Sequence, residues 1–292
     1  MFDLPGLAEI YKKYGDDFAA PIANFDIGGR SFDFDAAPVL MGVVNLSADS
    51  WYRSSVAGSA AEAIELGKRI AGEGAHVIDI GAEATMAETA VREAEQQVAA
   101  LVPVIAGLRQ AEVLVSVETY LPDVAQECLA AGANVLNLTG RAHESEIFEL
   151  AAAYQAAVVM CFVQGETVRE VRDFSGGVDF MDEMVEHFEK RVAAATAAGV
   201  SRIFVDPVVS SPRGGVERLR HQALTLLTSF RLRRLGWPVC NALLAGADYF
   251  AHDIRDMQAF FAVLASLGRT NMYRTHEVAK VRGVLAAMQA IG

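Results

Sequence analysis

Short, nearly all-apolar runs recur along this sequence, and they constrain the fold more than any other feature. Strands that are buried on both faces have this composition, and parallel sheets bury both faces of a strand. Most of the runs carry a polar residue toward the carboxyl end. The predicted strands are Val39–Asn45, His76–Gly81, Val113–Glu118, Asn134–Leu138, Ala157–Val163, Arg202–Asp206, Pro238–Leu243 and Thr270–Arg274.

Helical patterns separate these runs, and glycine-containing ends such as Glu73-Gly74-Ala75 close helices before the next strand. The predicted helices include Ala60–Ala71, Glu88–Leu108, Pro122–Ala131, Phe180–Ala198 and Val216–Leu235. The alternation predicts an α/β fold, a single (β/α)8 TIM barrel over residues 38–292. The length of 292 residues suits a barrel, which typically needs about 250.

Residues 1–37 precede the alternating pattern. The segment Phe25–Phe34 alternates apolar and polar residues around Gly28-Gly29, which is a hairpin signal. We expect an extension made of a short helix and this hairpin, which caps the bottom of the barrel.

Charge and cysteine usage exclude several classes of function. A net charge of −12 without a basic stretch disfavours nucleic-acid binding. No apolar run reaches the roughly 20 residues of a membrane span, and the N-terminus shows no signal-peptide pattern. Cys128, Cys161 and Cys240 form no CxxC pair, and the histidines form no HExxH motif. We therefore expect a cytoplasmic protein with neither a disulfide framework nor a metal held by protein ligands alone.

Polar residues near the strand ends define the predicted site, because active sites of such barrels lie at the carboxyl ends of the strands. Glu118, Asn137 and Asp206 offer two carboxylates and an amide that suit a heterocycle with both donors and acceptors. Arg274 offers a planar guanidinium that stacks on such a ring. Asp79 fits a buried, hydrogen-bonded structural residue as well as a functional one.

Six segments between about residue 38 and residue 284 carry the most distinctive motifs of the sequence: Met41–Ser50, Val77–Thr85, Ser116–Tyr120, Asn134–Leu138, Phe204–Pro207 and Tyr273–Val278. In this order they are similar to MGILNVTPDS, IIDIGGEST, SVDTY, the INDV region, LDPG and the RVHDV region. These are motifs of the dihydropteroate synthases, and the sequence resembles that family in their order and spacing.

The resemblance implies a reduced pterin or folate as ligand. Glu118, Asn137 and Asp206 then hold the pterin ring, Arg274 flanks it, and Cys161 stands where a pocket-lining methionine is usual. The anion site, for pyrophosphate and its Mg2+, comprises Asn45, His276 and Thr85. In this arrangement Asn45 meets the metal through the pyrophosphate.

Departures from the family's motifs bear on the reaction. Met86 stands in the place of a loop arginine, and the seventh strand, Cys240–Gly246, lacks the lysine of an SRK motif. The sixth loop does not read GFGK; its Arg213 is a possible substitute cation. A buried donor that is lost leaves acceptors unpaired, at about 1–3 kcal/mol.

Three functions stay open on the sequence. The first is a transferase like dihydropteroate synthase, which condenses dihydropterin pyrophosphate with an arylamine such as p-aminobenzoate. The second is a methyltransferase that uses a reduced pterin or folate and a corrinoid protein partner, with Asn241 as a loose candidate near the pterin. The third is a non-catalytic pterin-binding protein.

The resemblance also suggests a homodimer through the late helices. Phe260, Phe261 and Leu264 form an apolar stripe that fits either a dimer contact or the core.

Overall fold

A computed structural model describes residues 3–47, 53–83, 92–167, 170, 180–207, 215–243, 247–250 and 253–291. Within these ranges the chain forms an α/β barrel with an N-terminal extension. The predicted fold class, a TIM barrel in one domain, is confirmed.

The barrel is a sheet of eight parallel strands within the described ranges. Its strands, in chain order, are β3 Val39–Asn45, β4 Val77–Gly81, β5 Leu114–Thr119, β6 Val135–Leu138, β7 Ala157–Cys161, β8 Ile203–Asp206, β9 Cys240–Ala242 and β10 Met272–Thr275. Their order in the sheet is β8-β7-β6-β5-β4-β3-β10-β9. A parallel bridge between Val205 and Val239 joins the two end strands, so the sheet closes on itself.

Helices cover the outside of the barrel. They are α2 Ala60–Glu73, α3 Ala94–Gln110, α4 Pro122–Ala130, α5 Glu144–Ala153, α6 Phe180–Ala197, α7 Gly215–Thr228, α8 Ile254–Leu267 and α9 Val278–Ile291. The helix ends follow local chemistry. Ser59 caps α2 by accepting from the Glu62 amide, and Gly74 ends it at a φ of 117°, a left-handed conformation that favours glycine.

The barrel interior changes from apolar to polar along five of the described strands. Strand side chains alternate between the interior and the helix layer, so residues two apart share a face. On β4 the interior positions run from Val77 to Asp79, and on β5 from Leu114 to Ser116. The same step leads from Val135 to Asn137 on β6, from Phe204 to Asp206 on β8 and from Met272 to Arg274 on β10. The interior is therefore an apolar core below and a polar cluster at the carboxyl ends.

The N-terminal extension closes the apolar end. It comprises α1 Leu4–Ala19 and the hairpin of β1 Phe25–Ile27 with β2 Arg30–Phe32. Ile27 and Phe34 are buried in the same cluster as the lower interior residues, and the Phe34 ring meets the Phe204 ring edge-on at 5.1 Å. The predicted hairpin and its place at the barrel bottom are confirmed.

Buried Arg233 ties the extension to the barrel wall. Its Nη1 and Nη2 donate to the two carboxylate oxygens of Asp35, each at 2.9 Å, and its Nη2 also donates to the Ala20 carbonyl at 2.8 Å. Arginine binds carboxylates in this two-pronged way with high geometric specificity.

Two of the predicted helix boundaries are wrong. The predicted helix Glu88–Leu108 begins at Ala94 among the described residues, with Arg92 and Glu93 non-helical. The predicted helix Val216–Leu235 ends at Thr228, and a 3-10 helix, Ser229–Leu235, follows. The hydroxyls of Thr225 and Thr228 donate to carbonyls four residues back, a contact that weakens and bends a helix.

The apolar stripe on α8 divides between core and surface. Phe261 and Leu264 are buried against the barrel, whereas the Phe260 side chain is 46% exposed. Only Phe260 of the three therefore faces outward. None of the described helices is long and apolar enough to cross a membrane.

Candidate functional site

Asp79 is the centre of the polar end of the barrel interior. Its Oδ1 accepts a hydrogen bond from the Ser116 hydroxyl at 2.6 Å, and its Oδ2 accepts one from Asn137 Nδ2 at 3.0 Å. These residues lie on β4, β5 and β6, which are neighbours in the sheet. Asp79 thus links three strands at the place where the predicted ligand contacts begin.

Asn137 is held in one orientation from both sides. Its amide nitrogen donates to Asp79, while its Oδ1 accepts from the Cys161 thiol at 3.4 Å. A primary amide has two N–H donors and an oxygen with two lone pairs. Asn137 therefore keeps one N–H and one lone pair beyond these two contacts.

Arg274 brings the positive charge into this cluster. Its guanidinium lies 3.5 Å from Asp206 Oδ2 and 3.8 Å from Asp79 Oδ2. Burial acts to lower the pKa of Arg274, but the charge of Asp206 and other nearby groups outweighs that effect and raises it. The arginine therefore stays charged and partly neutralises the two carboxylates.

Burial also raises the pKa of two other groups in the cluster. It raises the pKa of Asp79, although Arg274 and the hydrogen bonds from Ser116 and Asn137 oppose the shift. Burial, with the charge of Asp206 nearby, raises the pKa of the Cys161 thiol well above its ordinary value. Cys161 therefore acts as a thiol donor rather than as a thiolate nucleophile.

Glu118 lies at the same end of the barrel, beside β4. It is aligned with Gly81 on one side and with Asn137 on the other. A Cβ atom at position 81 would lie 3.3 Å from a Glu118 carboxylate oxygen, so Gly81 leaves room for the Glu118 side chain. Glu118 is partly exposed, unlike Asp206 and Asn137, which are fully buried.

Asn45 and His276 lie at the carboxyl ends of adjacent strands, as expected. Asn45 is the last residue of β3 and donates from Nδ2 to the Ser55 hydroxyl at 2.6 Å. His276 follows β10, which pairs with β3. Burial and the charge of Arg274 lower the pKa of His276 to about 3, so its ring is neutral near pH 7.

The described part of the chain contains no metal centre made of protein ligands alone. Among the described residues, no group of three or more His, Cys, Asp or Glu side chains is placed to hold a metal ion. Asn45 donates to Ser55 from Nδ2, so Oδ1 is the atom of its side chain that suits a hard cation. This fits Mg2+ that is carried by substrate phosphates and keeps several water ligands.

Several predicted positions lie outside the described residues. They are Thr85 of the anion site, Arg213 as substitute cation, and Met86 in the place of the loop arginine.

Asn241, the loose candidate under the methyltransferase hypothesis, does not face the cluster. Its Nδ2 donates to the hydroxyls of Thr270 at 2.7 Å and Ser229 at 3.1 Å. Alternation explains this, because Cys240 occupies the interior position of β9 and its neighbour points to the helix layer. That prediction is wrong for Asn241.

The sequence left Asp79 open between a structural and a functional role, and the structure shows that it hydrogen-bonds to Asn137. Gln258 of α8, which contacts His276 and Thr275, was not predicted as a site residue. The apolar run around Asp79 shows no partner in sequence, since Asn137 is 58 residues away. Gln258 could not be predicted either, because no sequence motif marks the part of α8 in which it lies.

The sequence model of the family described as "Pterin binding enzyme" matches residues 41–246, which include the strands of Asn45, Asp79, Glu118, Asn137 and Asp206. The chain belongs to the pterin binding enzyme family.

Relatives of this chain include proteins named as dihydropteroate synthases and others named as inactive. A dihydropteroate synthase of Synechocystis sp. is 29% identical, and the alignment covers 87% of this chain and 97% of that protein. An "Inactive dihydropteroate synthase 2" of Mycobacterium bovis is 31% identical over 90% of this chain and 85% of its own length. The protein is thus a dihydropteroate synthase-like member of the family.

Solved structures agree with the barrel. The structure of Xanthomonas albilineans dihydropteroate synthase with 4-aminobenzoic acid has a TM-score of 0.79 and 25% identity, and the match covers 94% of this chain and 98% of that one. The Yersinia pestis dihydropteroate synthase, bound to a sulfonamide drug, has a TM-score of 0.80 at 21% identity, which supports the fold alone.

Proposed function

We propose that this pterin-binding protein is a transferase that joins a reduced pterin to an arylamine such as p-aminobenzoate. The carbon–oxygen bond to pyrophosphate breaks, a carbon–nitrogen bond to the arylamine forms, and the arylamine loses a proton. The observation that carries the proposal is the cluster of Asn137, Asp206 and Arg274 around Asp79 at the carboxyl ends of the strands.

The cluster offers the hydrogen bonds that a pterin ring requires. A pterin has an amino group and ring N–H groups that donate, and ring nitrogens and a carbonyl that accept. Carboxylates accept only, whereas an amide both donates and accepts. In the proposal Asp206 and Glu118 accept from the ring, Asn137 uses its remaining N–H and lone pair, and Cys161 lines the pocket. Arg274 covers a face of the ring.

The anion site of the proposal comprises Asn45 and His276. A neutral imidazole N–H donates to a phosphate oxygen, and Mg2+ on the pyrophosphate completes its neutralisation when bound. Thr85 and Arg213 belong to the proposal on the sequence alone. Orientation and charge stabilisation then supply the catalysis, with little acid–base chemistry.

A second candidate function is pterin binding without the transfer. It is supported by the mycobacterial relative that is named inactive and by the absence of a lysine from residues 240–246. The transfer remains the first choice because Asn45 and His276 are both present, and binding of a pterin alone needs no pyrophosphate site.

The deciding experiment measures pyrophosphate release from dihydropterin pyrophosphate with Mg2+, with and without p-aminobenzoate. The pterin's own fluorescence first establishes a protein concentration at which it is bound. Release that depends on the arylamine supports the transfer. Bound pterin without release contradicts it and leaves the binding protein, or methyl transfer from a reduced folate, as the function. The exposed-surface variant Asp256→Asn is the matched control for variants of the site.

We further propose a cytoplasmic homodimer. The three cysteines, Cys128, Cys161 and Cys240, are buried and form no disulfide, which fits a reducing compartment.

The dimer contact is proposed on α8. Phe260 and Leu267, seven residues apart on this helix, are both exposed and offer an apolar contact for a second copy.

A further inference from the structure

We propose that Gln258 is a positioning residue that fixes the proton of the His276 ring on Nε2. The contacts of its buried side-chain amide carry this proposal. Gln258 Oε1 accepts from the backbone N–H of His276 at 3.1 Å. A backbone N–H only donates, so the atom that faces it has to be the amide oxygen. The amide nitrogen of Gln258 is therefore the atom that faces the histidine ring.

The neighbouring hydroxyl gives the same orientation. Thr275 Oγ1 accepts from the Glu277 backbone N–H at 3.0 Å, which leaves its own proton to be donated elsewhere. That proton goes to Gln258 Oε1, which Thr275 contacts closely. Two independent donors, a backbone amide and a hydroxyl, thus converge on the same oxygen of Gln258.

The state of the imidazole follows from this orientation. Gln258 Nε2 lies 3.3 Å from His276 Nδ1. An amide nitrogen donates and does not accept, so Nδ1 has to present its lone pair. A neutral imidazole carries one proton, and with Nδ1 as acceptor the proton is on Nε2. The low pKa of His276, about 3, keeps the ring in this neutral form near pH 7.

The consequence for the site rests on the proposed function. An imidazole that presents Nε2–H offers an anion a hydrogen-bond donor, whereas the other tautomer would turn a lone pair toward it. Gln258 touches neither pterin nor pyrophosphate in this scheme. It acts through His276, from the helix that packs behind β10.

Histidine-ring NMR tests the tautomer without any measurement of activity. Long-range 1H–15N correlation at about pH 7.5 distinguishes a protonated from an unprotonated ring nitrogen, and the His276 signals are those that His276→Gln removes. In the wild type we expect an unprotonated Nδ1 and a protonated Nε2. In Gln258→Glu, a carboxylate that only accepts faces the ring, so we expect Nδ1 to become protonated. An identical His276 pattern in both proteins, or a protonated Nδ1 in the wild type, would overturn the proposal.

Two further variants remove the donor at position 258 and control for the added charge. Gln258→Leu offers no donor, and we expect a mixture of the two tautomers there; a ring that stays wholly in the Nε2–H form would show that Gln258 does not set it. Gln96→Glu, an exposed site on α3, adds the same charge and is expected to leave the His276 signals unchanged. Signals of the other histidines report whether each variant is folded.

Titration with inorganic pyrophosphate and Mg2+ separates this proposal from the proposed function. A shift of the His276 Nε2–H signal on binding supports the anion role. Pyrophosphate that leaves His276 unmoved would contradict that role in the proposed function, while the tautomer result would stand on its own measurement.

Discussion

Asp206 is the buried carboxylate whose change is most informative about the ligand. Its Oδ2 lies 3.5 Å from the Arg274 guanidinium, and in the proposed function its carboxylate accepts a hydrogen bond from the pterin ring. We expect Asp206→Asn to weaken binding of a reduced pterin by about 10- to 100-fold. Hydrogen bonds to charged groups contribute about 1.5–3 kcal/mol, and 1.4 kcal/mol is about tenfold in affinity.

Fluorescence titration of the pterin measures this loss, with thermal unfolding as a check that the variant is folded. Asp256→Asn, on the exposed face of α8, is expected to bind as the wild type does. Unchanged pterin affinity in Asp206→Asn would show that the pocket is assigned to the wrong residues.

His276 also links this site to the acid stability of the protein. Its pKa is lowered from 6.5 to about 3, so the unfolded chain takes up this proton at a higher pH than the folded one. The unfolded state then binds more protons between these values, and stability falls as the pH falls. We expect His276→Gln to lose less free energy of unfolding than the wild type between about pH 7 and about pH 4.

The difference reaches about 3 kcal/mol at most, since each pKa unit corresponds to about 1.4 kcal/mol. Urea unfolding at several pH values measures it, and exposed His143→Gln is the control. Equal slopes for the wild type and His276→Gln would mean that folding does not lower the pKa of His276.

At the level of the secondary-structure elements, the hairpin depends on a close approach between Gly28 and the barrel floor. A Cβ at Gly28 would lie 2.6 Å from Leu114 Cδ2 and 2.7 Å from Asn134 Nδ2, whereas one at Gly29 would meet nothing within 4 Å. Both residues have positive φ, 54° and 84°. We expect Gly28→Ala to destabilise the protein by about 1–3 kcal/mol more than Gly29→Ala does, through overpacking.

Chemical denaturation of the two variants measures the difference directly. The backbone cost of alanine at positive φ applies to both, so their difference isolates the contact with Leu114 and Asn134. Equal destabilisation would mean that the hairpin does not press on the barrel floor.

These elements also show how far the sequence determines the fold. The strand Val39–Asn45 has the predicted bounds, because an apolar run with a polar end is a local signal. The predicted end of α7 at Leu235 is wrong: the α-helix ends at Thr228 and a 3-10 helix follows, where the hydroxyls of Thr225 and Thr228 donate to carbonyls four residues back. Elements that depend on local composition were predicted, and those that depend on side-chain contacts were not.

The site shows the same division. The carboxyl ends of three strands carry Asn137, Asp206 and Arg274. Because these ends meet at one side of a barrel, the fold was enough to predict that the three residues would lie together. The role of Asp79 depends on the registers of β4, β5 and β6, which fix its hydrogen-bond partners across 37 and 58 residues. The contact between Gln258 and His276 depends on how α8 packs against β10, and no periodicity in the sequence indicates it.

For the whole molecule, the proposed dimer is tested at the outward face of α8. Phe260 is 46% exposed and Leu267 is 45% exposed, while their neighbours Phe261 and Leu264 are part of the core. A hydrophobic contact between two copies would bury these side chains, and burial of each large residue contributes about 1.5–3 kcal/mol of stabilisation.

We expect the wild type to sediment as a dimer and the double variant Phe260→Ser, Leu267→Ser to shift toward the monomer. Tyr154→Ser, which removes an apolar side chain of similar exposure at the end of α5, should leave the mass unchanged. A wild type that is monomeric at every concentration, or a double variant that remains as dimeric as the wild type, would contradict the proposed interface.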